Sequence, residues 1–298
     1  MIMKKLNLFF PLAFLFSGVL LLESCTKDIT VDLPDAEPQL VVEGGIEQNG
    51  YPWVVLSKSV SYFAPVDSAA LASNIVVNAT VIVSNGVITD TLALTFDPNF
   101  IIPLVYKGNA FTGVAGQTYT LRIIVPGFED ITSTTTIPQP IPLDSLWFKV
   151  EPDQTGQDSL GFMWAHLTDP AGLGQGYRWF AKRLNKDNVF IPPFGSAFDD
   201  KFVDGKDFDF GYSRGSIPGS SAPDDTGNER GYFKTNDTVV VKFTTIGSRE
   251  VDFFRTYEIE VSNNGNPFAA PGVIESNVNG GLGVFCGYGV YLDTVITQ

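Results

Sequence analysis

Ile137-Pro138-Gln139-Pro140-Ile141-Pro142 packs three prolines into five residues. Proline lacks an amide donor and has a fixed φ, so this stretch cannot run through a sheet interior and holds the chain extended. It is the clearest boundary in the sequence, and on both sides the residue pattern is one of strands and tight turns.

On the N-terminal side, Gln39–Glu47 and Pro52–Val60 are β-rich runs joined through Asn49-Gly50, a pair that favours positive φ at a hairpin turn. Asn74–Ser84 and Val87–Thr95 repeat the arrangement around Asn85-Gly86, and Gln117–Val125 pairs with Asp130–Ile137 across Pro126-Gly127. Strands at such short intervals predict an immunoglobulin-like antiparallel sandwich over residues 39–138, although no Cys-Trp-Cys pattern marks a true immunoglobulin domain. After a linker at 139–142, residues 143–298 read as a second β-rich domain. Its strands fall at Asp144–Val150, Asp158–Leu167, Gly176–Leu184, Thr238–Thr245 and, after a glycine-rich passage, Val290–Ile296. Ser248–Ser262 stands apart: Val251, Phe254 and Val261 recur near helical spacing, Ser248 suits an N-cap, and Asn263-Asn264-Gly265 suits a stop. The fold class expected is mainly β with one main helix.

The first residues read as a leader. Lys4 and Lys5 precede seventeen largely apolar residues, Leu6–Leu22, and Ser24-Cys25 follows. Spanning a bilayer needs about 20 apolar residues, and this run is interrupted by Asn7, Pro11, Ser17 and Gly18. A lipoprotein signal peptide over 1–24 fits better, with Cys25 lipidated as the first mature residue. Glu23 departs from the small or apolar residue usual at that position. Acyl chains at about 0.8 kcal/mol per buried methylene would hold the protein on a membrane. Residues 25–38, with Asp28, Asp32, Pro34, Asp35 and Glu37, read as an acidic tether.

Without the leader's Lys4, Lys5 and Glu23, 17 basic and 32 acidic residues remain, a net charge of −15. That balance argues against nucleic-acid binding and against electrostatic adhesion to anionic lipid. Cys286 is the only other cysteine, so no intrachain disulfide is expected. Its apolar setting suits a small core residue better than a catalytic thiol.

Toward the C-terminus the residues resemble a known family. Asn266-Pro267-Phe268-Ala269-Ala270-Pro271 and Ser276-Asn277-Val278-Asn279-Gly280-Gly281-Leu282-Gly283-Val284-Phe285 are similar to the closing signature of the domain-of-unknown-function 4249 family, outer-membrane lipoproteins of the Bacteroidota. Leu40-Val41-Val42-Glu43-Gly44, Tyr119-Thr120-Leu121 and Asp144-Ser145-Leu146 agree in order. The resemblance implies an accessory lipoprotein, lipid-anchored in the outer membrane and exposed at the cell surface, beside a SusC-like TonB-dependent receptor. It supplies no catalytic residues. It also implies that a glycine usually stands at the position of Cys286, and hence close backbone packing there.

Other candidate chemistry is sparse. His166, the single histidine, lies in an apolar strand and reads as a satisfied strand residue; zinc would need further nitrogen or sulfur ligands. Asp199, Asp200, Asp204, Asp207 and Asp209 offer five carboxylates to a calcium ion, but their spacing is not that of an EF-hand. The favoured reading is structural: Asp204-Gly205 as a hairpin turn, with Phe202, Phe208 and Phe210 on one side. No resident cofactor is expected. Six triplets read Asp-(Ser/Thr)-aliphatic, against about one expected by chance. They resemble O-glycosylation acceptors of the same phylum, with Ser68, Thr91, Ser159 and Thr238 as candidates, whereas Asp144-Ser145 and Asp293-Thr294 read as strand starts. Tyr177, Trp179, Phe194, Phe198 and Tyr212 are candidates for stacking on a sugar or anchoring a partner, and equally for a core. The leading expectation is a non-catalytic accessory binding or assembly subunit docked on a barrel protein. A surface adhesin or structural lipoprotein, and then a glycan or peptide hydrolase, are the alternatives.

Overall fold

The computed structural model describes residues 37–59, 73–152, 156–217, 229–263 and 272–298. The leader, Cys25, nearly all of the tether and Ser68 lie outside the described residues.

The three expected N-terminal hairpins form around residues with positive φ. β1 (Leu40–Glu47) and β2 (Trp53–Lys58) meet across Asn49, at φ 65°. β3 (Thr80–Ser84) and β4 (Thr89–Phe96) meet across Gly86, and β6 (Thr118–Ile124) and β7 (Ile131–Thr136) across Gly127. β5 (Leu104–Lys107) pairs with both β2 and β4. β4 changes sheets part-way along: Thr89–Leu92 pairs with β3, whereas Ala93–Phe96 pairs with β5. The two faces therefore fold over each other around β4. Alternate residues point into the space between them, Leu40, Val42 and Ile46 from β1 and Tyr119, Leu121 and Ile123 from β6. Each such side chain contributes about 1.5–3 kcal/mol on full burial.

Beyond the proline stretch come β8 (Ser145–Val150), β9 (Leu160–Thr168), β10 (Gly176–Arg183), β11 (Ala197–Asp199), β12 (Asp207–Tyr212), β13 (Phe233–Lys234) and β14 (Thr238–Ile246). β9 lies between β8 on one side and β12 and β13 on the other, while β10 joins β11 to β14. A second core fills the space between these layers, with Tyr177, Trp179, Phe233 and Phe243 fully buried. The helix α1 (Ser248–Asn263) follows, then β15 (Val278–Asn279) and β16 (Leu282–Ile296). No helix among the described residues is long and apolar enough to cross a membrane.

Three expectations change. The glycine-rich passage before Val290 is itself strand, because β16 runs for fifteen residues. Its glycines sit where other backbones come close: a Cβ on Gly283, at φ 119°, would lie 1.9 Å from the Val42 carbonyl oxygen. Next, the C-terminal segment does not belong wholly to the second β unit. β15 pairs with β7, and Leu282–Tyr288 runs parallel to β1 before Gly289–Ile296 continues antiparallel to β14. Residues 278–288 thus close the open side of the first sandwich opposite β4. The two cores flank the prolines, but the sheet is continuous through β16. Finally, Asp204-Gly205 is no hairpin turn. It lies between β11 and β12, which pair with different strands in different layers, and Phe202 is exposed while Phe208 and Phe210 pack on the second core.

Candidate functional site

α1 buries only its first half, through Glu250, Val251, Phe253 and Phe254. Val251 and Phe254 pack with Val284, Cys286 and Tyr288 on the outer face of β16. Glu250 enters a buried polar network centred on Asn277. The Asn277 Nδ2 donates to Glu250 Oε1 at 2.9 Å and to the Phe285 carbonyl at 2.8 Å, while its Oδ1 accepts from the Phe285 N–H at 2.9 Å. β7 turns two hydroxyls inward to complete it. Ser133 Oγ donates to the Asn277 carbonyl at 2.7 Å; Thr135 Oγ1 donates to Glu250 Oε1 at 3.1 Å and accepts from the Gly287 N–H at 2.9 Å. One asparagine side chain thus ties helix, β7 and β16 together where the first sandwich closes.

On the outer face of the same strands lies a largely buried groove with a different character, exposed at Glu43. β1 presents Glu43, Gly45 and Glu47 there, opposite Val284, Cys286 and Tyr288 of β16. Gly45 leaves room for the Tyr288 ring, since a Cβ there would lie 2.8 Å from Tyr288 Cε2 and 3.2 Å from the Trp53 ring. Arg178 of β10 enters from the other side, about nine-tenths buried. Its guanidinium carbon is 3.4 Å from the Phe254 ring centre and 4.7 Å from that of Phe180. Its one side-chain hydrogen bond among the described residues runs from Nη1 to Tyr288 Oη at 3.4 Å. Along the same face, Lys242 pairs with Glu47 at 2.6 Å and lies over Phe180 and Phe190.

Two acids here, Glu43 and Glu258, are held above their ordinary range. Glu43 is open to solvent, yet the protein around it strips enough water to raise its carboxyl pKa, against the pull of Arg178. Burial raises Glu258 likewise, opposed by the N–H of Gly195 and by Arg178. Burial also pushes the Tyr288 hydroxyl and the Cys286 thiol well above their usual values. A thiolate at Cys286 is therefore disfavoured, in line with a packing role.

Over residues 26–292 the sequence matches the family described as Domain of unknown function (DUF4249). The chain belongs to that family. No curated protein matches it. The match spans both sandwiches of the DUF4249 chain, including the Asn277 network and the groove.

The expected calcium residues of this DUF4249 chain do not converge. Asp200 and Asp204 come together with Asp169, their nearest carboxylate oxygens lying within 4.8 Å of one another. Asp199 instead pairs with Lys201 and Arg255, Asp209 bonds His166 Nδ1 at 2.6 Å, and Asp207 lies apart on β12. The three clustered acids are engaged by the chain itself. Asp200 Oδ2 accepts from the N–H groups of Gly174 (2.7 Å) and Gln175 (2.9 Å), Asp204 Oδ1 accepts from Gly172 (2.6 Å), and Asp169 accepts from Tyr177 Oη and the Gly205 N–H. They clamp the 169–176 loop onto the 200–206 turn, the structural reading with a different partner, Asp169. A metal placed there would have to displace or share those bonds.

Of the aromatic candidates, Tyr177 and Trp179 are corrected to core: both are fully buried, because β10 lies between β14 and β11 with its odd-numbered residues facing the second core. Phe198 and Tyr212 pack against that core, and Phe194 alone is largely exposed. Thr91 is exposed on β4, whereas Ser159 and Thr238 are half-buried. Several aspartates of the triplets serve structure. Asp90 accepts from the N–H groups of Asn109 and Ala110, Asp144 from Thr168, and Asp237 from Lys234.

His166 sits on β9 opposite Asp209, which raises its pKa through their hydrogen bond. Gly211-Tyr212-Ser213-Arg214-Gly215 has the spacing of a nucleophile elbow, but β12 ends at Tyr212 and no helix follows. Ser213 is four residues beyond the strand position opposite His166, roughly 13 Å along the ladder. A shallow cleft lined by Leu160, Arg183, Lys186, Glu229, Tyr232 and Lys234 is also spoken for, as its cations pair with Asp187, Asp237 and Glu229.

Sequence reasoning missed Glu43, Arg178 and Tyr288 as a group. The available sign was a single charge inside each of two apolar strands, Leu40-Val41-Val42-Glu43-Gly44 and Tyr177-Arg178-Trp179-Phe180.

Proposed function

We propose that this DUF4249 chain is a non-catalytic lipoprotein of the outer membrane, anchored through Cys25 and displayed at the cell surface. Its role is that of an accessory binding or assembly subunit of a SusC-like TonB-dependent receptor or comparable barrel protein. The leader and tether support the location, and the family's likeness to Bacteroidota lipoproteins supports the partner.

The observation that carries the docking role is the end of the β4–β5 hairpin. Leu94, Phe96, Ile101 and Ile102 are all exposed there, Phe96 by 68%. Large apolar side chains gathered on one exposed element mark an interaction site more often than a solvated surface. The hairpin end is also held in one shape. Asp97 pairs with Lys107 at 2.7 Å and accepts from the Asn99 N–H at 3.0 Å, its own N–H donates to the Pro103 carbonyl, and Phe100 packs edge-on against Trp53. A preordered apolar tip loses little conformational freedom on docking.

The test is affinity recovery of the tagged full chain from detergent-solubilised outer membranes, with mass spectrometry of what accompanies it. A stoichiometric barrel receptor is expected, and its recovery should fall about tenfold in a Phe96→Ser/Ile101→Ser double variant. A clean, partnerless lipoprotein would overturn the reading and shift weight to an adhesin.

A further inference from the structure

We propose that Arg178 anchors a carboxylate-binding site in the groove beside α1, for a ligand that carries a hydroxyl or ammonium donor next to its carboxylate. This goes beyond the docking reading and does not rest on it.

A guanidinium has five N–H donors, and burying one costs heavily unless those donors find acceptors. Arg178 makes one long bond, to Tyr288. Its Nε is sealed from solvent without an acceptor, and Nη2 makes no hydrogen bond to a described residue. No carboxylate lies within ion-pair distance among the described residues. Arg183, comparably buried, shows how this protein otherwise treats such a group. Asp187 accepts from its Nε at 3.0 Å and its Nη2 at 2.7 Å. Arg178 lacks that counterpart although two acids stand in its field. Glu258 is committed to the Gly195 N–H at 2.7 Å and to Ser196 Oγ at 3.4 Å. Glu43 makes no hydrogen bond or ion pair to a described residue.

The flanking groups define what would fit. Phe254 and Phe180 pack against the guanidinium, whose fork of donors suits a two-point contact with a flat carboxylate. Tyr288 Oη and Arg178 Nη1 stand together at the buried end, and Glu43 is exposed at the other. Glu43, on the neighbouring strand, repels a bare polyanion such as phosphate but accepts from a hydroxyl or ammonium. An amino acid and an acidic sugar share this chemistry.

The experiment is isothermal titration calorimetry of the full chain with acetate, glycine, glucuronate and inorganic phosphate, each up to about 10 mM. Saturable binding of glycine or glucuronate is expected, about tenfold tighter than acetate, with phosphate silent; which of the two binds identifies the source. Arg178→Met should abolish the heat, and Glu43→Gln should erase the advantage over acetate. If Arg178→Met does not melt cooperatively, Arg178→Lys, which keeps the charge but loses the fork, should still weaken binding about tenfold. No saturable heat from any carboxylate, phosphate binding equal to theirs, or undiminished affinity in the arginine variants would overturn the proposal. Receptor recovery should be unchanged in these variants, so the two readings fail separately.

Discussion

Two polar centres lie beside β16, one at its backbone edge and one on its outer face, and they are built to opposite standards. In the Asn277 centre, the side-chain amide, the Glu250 carboxyl, the Ser133 and Thr135 hydroxyls and three backbone groups of β16 all find partners within 3.1 Å. In the Arg178 centre a comparably buried cation makes one bond at 3.4 Å and leaves Nε without any. An orphaned buried donor costs about 1–3 kcal/mol, and the Asn277 centre leaves none. Single buried atoms of Gln48, Trp164, Gln175, Trp179 and Arg214 also lack a hydrogen-bond partner, but Arg214 has Asp187 as an ion partner. Arg178 is a buried charge with no carboxylate at ion-pair distance among the described residues, and there a ligand has something to gain.

The largest test of this contrast is Asn277→Ala. It strands the Phe285 N–H and removes a donor from the buried Glu250 carboxyl, and should lower unfolding stability by about 3 kcal/mol. Urea denaturation would show it as a lower midpoint at unchanged slope. A loss below about 1 kcal/mol would mean that water replaces the side chain readily, and the two centres would no longer differ in kind.

Asp200→Ala ranks next. Its carboxylate serves two backbone N–H groups and sits beside Asp169 and Asp204. Losing those bonds should cost about 1–2 kcal/mol, offset in part by relief of like charge. Millimolar calcium should leave the wild-type melting temperature unchanged. A calcium-dependent rise that Asp200→Ala abolishes would move this cluster from the saturated class to the unsaturated one.

The hairpins were legible because Asn49, Gly86 and Gly127 carry their turn chemistry locally. So was α1, through the spacing of Val251 and Phe254. What escaped is non-local. Leu282–Phe285 reads as a glycine-rich loop until Val42 is seen running parallel to it, and only then does Gly283 make sense as a strand residue. The signature Asn277 has no meaning within its own segment, since its partners lie at Ser133, Glu250 and Phe285. Arg178 and Glu43 are 135 residues apart in sequence, and β16 is what brings their strands onto one face. Tyr177 and Trp179 failed as surface candidates for the same reason, because composition reports an aromatic strand and not which layer covers it.

A smaller effect is expected at Arg178→Met, with the opposite implication to Asn277→Ala. Replacing an unpaired buried cation by an apolar chain of similar length removes a desolvation penalty while losing contact with Phe254 and Phe180. Stability should stay within about 1 kcal/mol of wild type. A loss as large as that at Asn277 would assign Arg178 to architecture.

The smallest effect sharpens the contrast through pH. In the folded protein the Glu43 carboxyl titrates above its ordinary value of 4.5, because burial disfavours its charged form more than Arg178 favours it. Between that value and the raised one, the folded state holds a proton that the unfolded chain has released, so stability falls as pH rises through the window. Below about 4.5 both states are protonated and the penalty is absent. Glu43→Gln should therefore raise the melting temperature at pH 7 and leave it nearly unchanged at pH 4, while Glu258, shifted in the same direction, preserves part of the overall slope. Solvent access at Glu43 keeps the change small. Thermal melts of the two proteins at both pH values would measure it. An equal offset at both would mean that Glu43 is fully hydrated, and that a ligand meeting it beside Arg178 would find an ordinary surface carboxylate.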